Sequence, residues 1–161
     1  MPIVHLICGS TGAGKTTYAK ALADRVRGLR FSIDEWMANL FLADRPDQLS
    51  PVWAGERAAR CEAQMWTIAD DLLARGVDVV FDVGLSKRVH RERFRTRAAR
   101  AGAASKLHYL DVDVETRRER VKRRNAAGAA FEITDDMFRY VETLFEAPTD
   151  DELYEAMIVC F

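Results

Sequence analysis

One stretch near the start of the chain constrains its fold more than any other: it reads Gly9-Ser10-Thr11-Gly12-Ala13-Gly14-Lys15-Thr16. It matches the pattern G-x-x-x-x-G-K-[ST] at every fixed position. An apolar run from Ile3 to Cys8 precedes it, and apolar residues at helical spacing follow it as far as Gly28. A strand, a glycine loop and a helix in this order point successive backbone N–H groups at phosphate oxygens. The stretch therefore predicts a phosphate-binding loop, or P-loop, for a nucleoside triphosphate.

Two side chains of this loop have specific expected roles. Lys15 would reach the β- and γ-phosphates, and the Thr16 hydroxyl would hold Mg²⁺. We therefore predict ATP and Mg²⁺ as cofactors. The alternative is a glycine-rich turn without a ligand, but a chance match is expected only about once in 200 chains of this length.

Length, charge and cysteine content limit the class of protein. A chain of 161 residues is predicted to be one domain, 1–161, and its 48% hydrophobic and 30% charged residues are ordinary for a soluble protein. The net charge of −1 provides no overall attraction to nucleic acid or membrane. The odd number of cysteines, in apolar surroundings, indicates buried thiols rather than disulfides. We found no signal peptide or apolar run of membrane-spanning length, so we predict a cytoplasmic monomer or homodimer.

Apolar runs alternate with helical patterns along the chain. After the first strand, the predicted strands cover 29–33, 77–81, 106–110 and 156–161. Beyond the helix after the P-loop, the predicted helices cover 35–42, 51–74, 87–101, 114–125 and 135–145, with loops at 43–50 and 126–131. This alternation predicts an α/β fold: a doubly wound, parallel five-stranded sheet with helices on both faces. Its ligands should lie at the carboxyl ends of the strands, where Gly9, Asp34 and Asp82 all fall.

Two aspartates at this edge are candidates for chemistry. Asp82 follows the apolar run Val79–Phe81 and could reach Mg²⁺, although many strands end in aspartate because of turn geometry. Asp34, in Ser32-Ile33-Asp34-Glu35, could orient an acceptor hydroxyl and accept its proton. Asp34 could equally cap the helix that follows, and the two roles are compatible.

A third candidate group is a cluster of arginines on the helix 114–125: Arg117, Arg118, Arg120, Arg123 and Arg124. These residues could form a solvated helix face paired with nearby glutamates. A migrating phosphoryl group needs cations, however, and a lid bearing arginines would supply them. We favour Arg120 and Arg124, which are four residues apart and share a face, in a lid at about 114–133.

Together these motifs resemble the polynucleotide kinase-like group of P-loop kinases, which also contains chloramphenicol phosphotransferases and zeta-toxin-type kinases. The matching segments occur in the same order and span nearly the whole chain: 9–16, 32–35, 81–85 and 120–125. The resemblance implies that Asp34 is the general base, that Arg120 and Arg124 are lid arginines, and that the turn containing Pro148 packs near the adenine. The predicted catalytic residues are Asp34, Lys15, Arg120 and Arg124, and the predicted metal ligands are Thr16 and Asp82. The predicted nucleotide-binding residues are Gly9, Ser10, Thr11, Gly12, Ala13, Gly14, Lys15, Thr16, Thr17, Arg120, Arg124 and Pro148.

One departure from the group concerns the acceptor. Polynucleotide kinases have an arginine three residues after the base aspartate, where this chain has Met37 among apolar residues. We therefore predict an ATP- and Mg²⁺-dependent phosphotransferase acting on a hydroxyl of a small molecule. Lys87, Arg88 and Arg91 leave an acceptor bearing phosphate or sugar open. The alternatives are a polynucleotide 5′-hydroxyl kinase, which Met37 disfavours, and an ATP-binding regulatory protein without an acceptor.

Overall fold

The protein is an α/β fold built on one parallel sheet, here from a computed structural model that describes residues 1–44, 46, 50–128, 132–154 and 156–160. The strands are β1 (Ile3–Cys8), β2 (Leu29–Ser32), β3 (Val79–Asp82), β4 (Ala104–Asp111) and β5 (Met157–Cys160). The helices are α1 (Lys15–Val26), α2 (Ile33–Phe41), α3 (Pro51–Ala74), α4 (Arg88–Arg100), α5 (Val114–Ala126), α6 (Asp135–Leu144) and α7 (Asp150–Leu153). The strand order is β2-β3-β1-β4-β5 and every pairing is parallel. The predicted fold class is confirmed.

Alternate residues of the central strands face opposite sides of the sheet, and helices cover both sides. Leu6 of β1 packs in a cluster with Met65 and Phe94 of α3 and α4, whereas Ile7 packs in a second cluster with Leu22 of α1. Because both faces of the sheet are covered, β1 and β3 are buried along nearly their whole length, and apart from His5 and Asp82 their residues are apolar rather than alternating. β1 lies in the middle of the sheet, so the loop that follows it emerges at the centre of the carboxyl edge.

Aromatic side chains fill the side of the sheet under α3 and α4. The ring of Trp66 lies 4.6 Å from that of Phe81 and 5.4 Å from that of Phe94, between ring centroids. Trp66 is therefore a core residue. Trp53 instead packs edge-on against Phe41, at 6.5 Å, between α2 and α3.

The observed elements differ from the predicted ones in two places that affect the site. β2 ends at Ser32 and α2 begins at Ile33, so Asp34 lies inside a helix rather than at the end of a strand. The short helix α7 was not predicted. Parts of the predicted loops 43–50 and 126–131, and the last residue of the predicted strand 156–161, lie outside the described residues.

A chain of polar contacts, with two buried histidines at its centre and half-buried residues at its ends, runs across the sheet beneath α1. Tyr18 Oη lies 2.8 Å from His108 Nδ1, His108 Nε2 lies 2.9 Å from His5 Nδ1, and His5 Nε2 lies 3.4 Å from Asp78 Oδ2. Two neutral histidines satisfy all three contacts if each ring carries its proton on Nε2. Burial lowers the pKa of both histidines, that of His108 to about 3, and repulsion from His5 when it is protonated is a further cause at His108.

Because of these contacts, we expect the stability of the protein to fall as the solution becomes acidic. Below the ordinary histidine pKa of 6.5, the unfolded chain takes up protons that the folded rings exclude. The free energy of unfolding should therefore fall from about pH 6.5 downward, by up to about 1.4 kcal/mol per pH unit per histidine. Urea unfolding between pH 7.5 and 5, above the range of most carboxylates, measures this slope.

Two histidine variants identify the source of the slope. His108→Gln should flatten the pH dependence, whereas His90→Gln on the exposed face of α4 should keep the slope of the unsubstituted protein. A free energy of unfolding that is constant from pH 7.5 to 5 would show that the histidines do not titrate as described.

In the part of the chain that the structure describes, no helix is both long and apolar enough to span a bilayer.

Candidate active site

The P-loop has the backbone geometry that its glycines predict. Gly12 and Gly14 have φ angles of 81° and 92°, in the left-handed region that other residues rarely adopt. A Cβ atom on Gly12 would also lie 2.5 Å from the carbonyl oxygen of Arg117 in α5. The loop is therefore packed directly on α5, and only glycine fits at the point of contact.

Lys15, the first residue of α1, lies over the loop. Its Nζ donates a hydrogen bond to the carbonyl oxygen of Ser10 at 3.0 Å. Burial lowers its pKa, and the negative charges of Asp82 and Asp34 oppose that shift. The ammonium group is thus partly desolvated and faces carboxylates.

One cavity of about 460 Å³ brings most of the predicted residues together. Every predicted catalytic and metal-binding residue lines it: Lys15, Thr16, Asp34, Asp82, Arg120 and Arg124. The rest of its lining is Thr11, Gly12, Gly14, Thr17, Ile33, Gly84, Val121 and Ile133. Gly9, Ser10, Ala13 and Pro148, which were predicted to bind nucleotide, do not line it. The residues that do line the cavity come from five separate segments, which the parallel sheet and α5 place around one space.

Asp34 lies in the first turn of α2, and its suggested role as a helix cap is wrong. The N-cap of α2 is Ser32, whose Oγ accepts a hydrogen bond from the backbone N–H of Glu35 at 3.4 Å. Desolvation by surrounding protein raises the pKa of the Asp34 carboxyl although the residue is exposed, and the charge of Asp82 raises it further. A carboxylate with a raised pKa is a better proton acceptor.

Asp82 ends β3 beside Ser32 and is almost fully buried. One of its oxygens, Oδ2, accepts a hydrogen bond from Arg30 Nε at 3.4 Å. Thr16 lines the same cavity. Among the described residues, no group of three or more histidine, cysteine or acidic side chains could hold a metal ion. A hydroxyl and one carboxylate nevertheless fit Mg²⁺, which takes one or two protein ligands and completes its shell with phosphates and water.

The two favoured arginines of α5 reach the cavity in different ways. Arg120 Nη1 donates a hydrogen bond to the carbonyl oxygen of Ala13 in the P-loop at 3.3 Å. Arg124, one turn further on, is exposed and lowers the pKa of Asp34 by its charge. Both therefore lie on the α5 face that points at the P-loop, as their spacing predicts.

A further pair beside the P-loop was missed. Arg117 was counted with the cluster on α5, but it is buried and forms a bidentate ion pair with Glu142 of α6. The available signal was its spacing: Arg117 precedes the buried Val121 by four residues and thus belongs to the packed face of the helix.

Lys87, Arg88 and Arg91, which were considered as contacts for an acceptor bearing phosphate or sugar, form ion pairs within the protein instead. Arg91 is completely buried and pairs with Glu152 of α7 at 2.7 and 2.8 Å, while Arg88 pairs with Asp151 and Lys87 with Glu146. None of the three lines the cavity. They attach the segment 146–152 to α4, and this attachment leaves Pro148 buried outside the cavity lining.

The sheet order, the P-loop and the helix that follows it define a P-loop α/β protein. The sequence profile of a family described as an AAA domain matches residues 4–148, and the chain belongs to that family. It is a kinase-like P-loop family, in agreement with the resemblance drawn from the sequence. No curated protein matches the sequence.

Solved structures of low sequence identity share the fold. A candidate kinase from Chloroflexus aurantiacus j-10-fl has a TM-score of 0.76 at 19% identity, over 99% of this chain and 85% of that one. Chaetomium thermophilum Kti12, in complex with ADP-AlF3, has a TM-score of 0.70 at 18% identity, over 98% and 89% of the two chains. An unliganded sugar kinase from Janibacter sp. HTCC2649 has a TM-score of 0.67 at 18% identity, over 99% and 86%.

Proposed function

We propose that this protein is an ATP- and Mg²⁺-dependent kinase that transfers the γ-phosphoryl group to a hydroxyl of a small molecule. The observation that carries the proposal is the single cavity shared by Lys15, Asp34 and the two arginines of α5. An ATP-binding protein without an acceptor needs the P-loop and Lys15, but it has no use for a carboxylate of raised pKa opposite them.

The proposed reaction is a direct displacement. The acceptor oxygen bonds to the γ-phosphorus while the bond from that phosphorus to the β–γ bridging oxygen breaks, and ADP leaves. Asp34 orients the hydroxyl and takes its proton, and Lys15 stabilises the negative charge on the phosphates. Arg120 and Arg124 stabilise the charge that spreads over the transferred group.

The proposed metal site consists of Thr16 and Asp82. Bound there, Mg²⁺ would neutralise charge on the β- and γ-phosphates. Arg30 holds Asp82 in place through its hydrogen bond to Oδ2, and a second hydrogen bond ties Arg30 to Glu35 of α2 at 2.8 Å. The chain's own contribution is thus a carboxylate with a fixed orientation.

The proposed acceptor is a small, weakly charged molecule with a hydroxyl group. Next to Asp34 the cavity is lined by Ile33 and Gly84, and Met37 packs against the hydrophobic core. No cation of α2 lies where an end phosphate of a nucleic acid would need one. A sugar kinase among the proteins of this fold belongs to the same acceptor class.

We further propose that the whole chain is one kinase domain whose lid covers about 114–133. Asn125 closes the base of this lid: its side chain bonds the carbonyl oxygen and the N–H of Ile133 at 2.8 and 3.2 Å. This clamp directs Ile133 into the cavity from the far end of the lid. Cys8 and Cys61 are buried as predicted, whereas Cys160 is exposed, so the prediction was wrong for Cys160. That all three are free thiols fits the cytoplasmic location that we propose.

An acceptor screen tests the proposed function. ADP release from ATP and Mg²⁺ is measured with and without sugars and polyols, nucleosides, and oligonucleotides ending in a 5′-hydroxyl. Stimulation by a small hydroxyl compound, with phosphate recovered on that compound, is the expected result. Stimulation by 5′-hydroxyl oligonucleotides alone would identify a polynucleotide kinase, and tight ATP binding without any stimulation would favour a regulatory protein.

The arginines of α5 give a prediction of their own. Arg120→Ala and Arg124→Ala should lower kcat by at least about tenfold and change the ATP dissociation constant less, because their charge acts mainly on the transition state. Steady-state kinetics with the acceptor found in the screen, together with calorimetry, separate the two quantities. Full kcat in both variants would show that these arginines form only a solvated face.

A further inference from the structure

The guanidinium of Arg117 joins three segments of the chain. Its Nε donates to the carbonyl oxygen of Val112 at 2.9 Å, and its Nη1 to that of Thr11 in the P-loop at 3.3 Å. Both terminal nitrogens also bond the Glu142 carboxylate at 2.6 Å. Arg117 is only 7% exposed, so water cannot replace these partners readily.

Glu142 contacts the P-loop as well. Its Oε1 accepts a hydrogen bond from the hydroxyl of Ser10. The Arg117 hydrogen bond is the main cause that lowers the pKa of Glu142, and the Ser10 hydroxyl and the Lys15 charge lower it further. The Glu142 carboxylate is therefore ionised, and the Arg117 guanidinium neutralises its charge. The pair as a whole has no net charge that would repel phosphate from the neighbouring P-loop.

These contacts fix two consecutive residues of the P-loop, Ser10 and Thr11, in a segment that has no regular secondary structure. The pair holds Ser10 by its side chain and Thr11 by its carbonyl oxygen, while Gly12 abuts the backbone of Arg117 itself. A glycine-rich loop loses much conformational freedom when it closes around a ligand, and fixing it in advance reduces that cost. Two apolar side chains could join α5 to α6, but they could not hold polar loop atoms.

The position of Arg117 on α5 extends the effect to the proposed lid. Arg120 and Arg124 follow it by three and seven residues and lie on the same face of the helix. An anchor at Arg117 thus fixes the distance between the P-loop and the two cations that face the cavity.

We infer that Arg117 and Glu142 are positioning residues that hold the P-loop in its phosphate-binding conformation and fix the position of α5 relative to the loop. This inference rests on the proposed function, because it concerns how the same site binds ATP. Neither residue lines the cavity, so both act through Ser10 and Thr11 rather than by touching the nucleotide.

A double substitution separates positioning from simple structural support. Arg117→Leu and Glu142→Leu alone should each lower stability and ATP affinity, because each leaves its partner buried without a counter-charge. The double variant removes both charges, so its free energy of unfolding should return most of the way to that of the unsubstituted protein. Its ATP dissociation constant should stay raised by about tenfold, which corresponds to the lost hydrogen bonds to the loop.

Calorimetry and urea unfolding on the same samples read the two effects separately. Recovery of both ATP affinity and stability in the double variant would overturn the inference, since the pair would then be merely structural. The matched control replaces the exposed ion pair of the same helix, Arg123 and Glu119, in Arg123→Gln/Glu119→Gln. This control should bind ATP as the unsubstituted protein does.

A second variant covers the case in which the double variant does not fold. Ser10→Ala removes the loop side of the contact and keeps the ion pair, so stability should change little while ATP binds several-fold more weakly. Unchanged ATP affinity in Ser10→Ala would also overturn the inference. Lys15→Ala, measured in parallel, identifies a failure of the proposed function itself, because undiminished ATP binding there would refute the P-loop assignment rather than the positioning.

Discussion

Asp34→Asn is expected to lower the rate of acceptor phosphorylation by about 10²–10⁴-fold, the usual contribution of a general base. The substitution keeps the size of the side chain and a hydrogen-bonding oxygen but removes its ability to take a proton. ATP binding should persist, because Lys15 and the loop N–H groups are unchanged. Stability should change by about 1 kcal/mol or less, since Ser32 rather than Asp34 caps α2.

The matched control for this substitution is Asp135→Asn. It removes a carboxylate from the first turn of another helix, α6, at a position that does not line the cavity. It should show the same small stability change and no change in rate. Acceptor phosphorylation by Asp34→Asn at the unsubstituted rate would end the assignment of Asp34 as base.

Lys15→Ala should abolish measurable turnover and weaken ATP binding strongly, because it removes the cation that faces the β- and γ-phosphates. The fold should survive, since within the described part of the chain the Lys15 side chain makes a single hydrogen bond, to the carbonyl oxygen of Ser10. Titration calorimetry with ATP and Mg²⁺ measures binding, and circular dichroism measures folding.

Lys20→Ala provides the comparison for a lost lysine on the same helix. Lys20 is exposed and lies 3.8 Å from Glu35 in a surface ion pair, so its loss should leave ATP binding unchanged. Equal ATP affinities for Lys15→Ala and Lys20→Ala would mean that the loop does not bind a triphosphate in the proposed way.

Much of the fold was predictable because it depends on local patterns. Buried parallel strands appear as short apolar runs, and the P-loop motif marks the junction of β1 and α1. Once the strands were known to be parallel, Asp34 and Asp82 had to fall at the same edge as the P-loop. The cavity that they share with Lys15 follows from that topology, whereas their chemical roles remain predictions.

The parts that could not be predicted depend on pairs distant in sequence. Arg117 and Glu142 are 25 residues apart, and Arg91 and Glu152 are 61 apart. The spacing from Val121 can place Arg117 on the packed face of α5, but nothing in the local pattern identifies the remote partner of either arginine. The helix α7 was missed for the same reason, because four residues do not establish a period and Glu152 is fixed by its contact with α4.

The boundary of α2 was missed for a different reason. The run Ser32-Ile33-Asp34-Glu35 allows either Ser32 or Asp34 to cap a helix, since both residue types do so readily. The structure selects Ser32, which places Asp34 within the first turn of the helix, where it lines the cavity.

The buried Arg91 affects the stage of synthesis at which parts of the chain can fold. One guanidinium bonds the carbonyl oxygens of Leu85 and Glu146, contacts the sulfur of Cys8 just before the P-loop, and pairs with Glu152. Until Glu152 has been synthesised, that charge has no counter-ion in the interior, and burying it costs several kcal/mol. We therefore expect the central strand and the P-loop to reach their final packing only after Glu152 has been synthesised, so that the proposed phosphate-binding site is among the last parts of the protein to form.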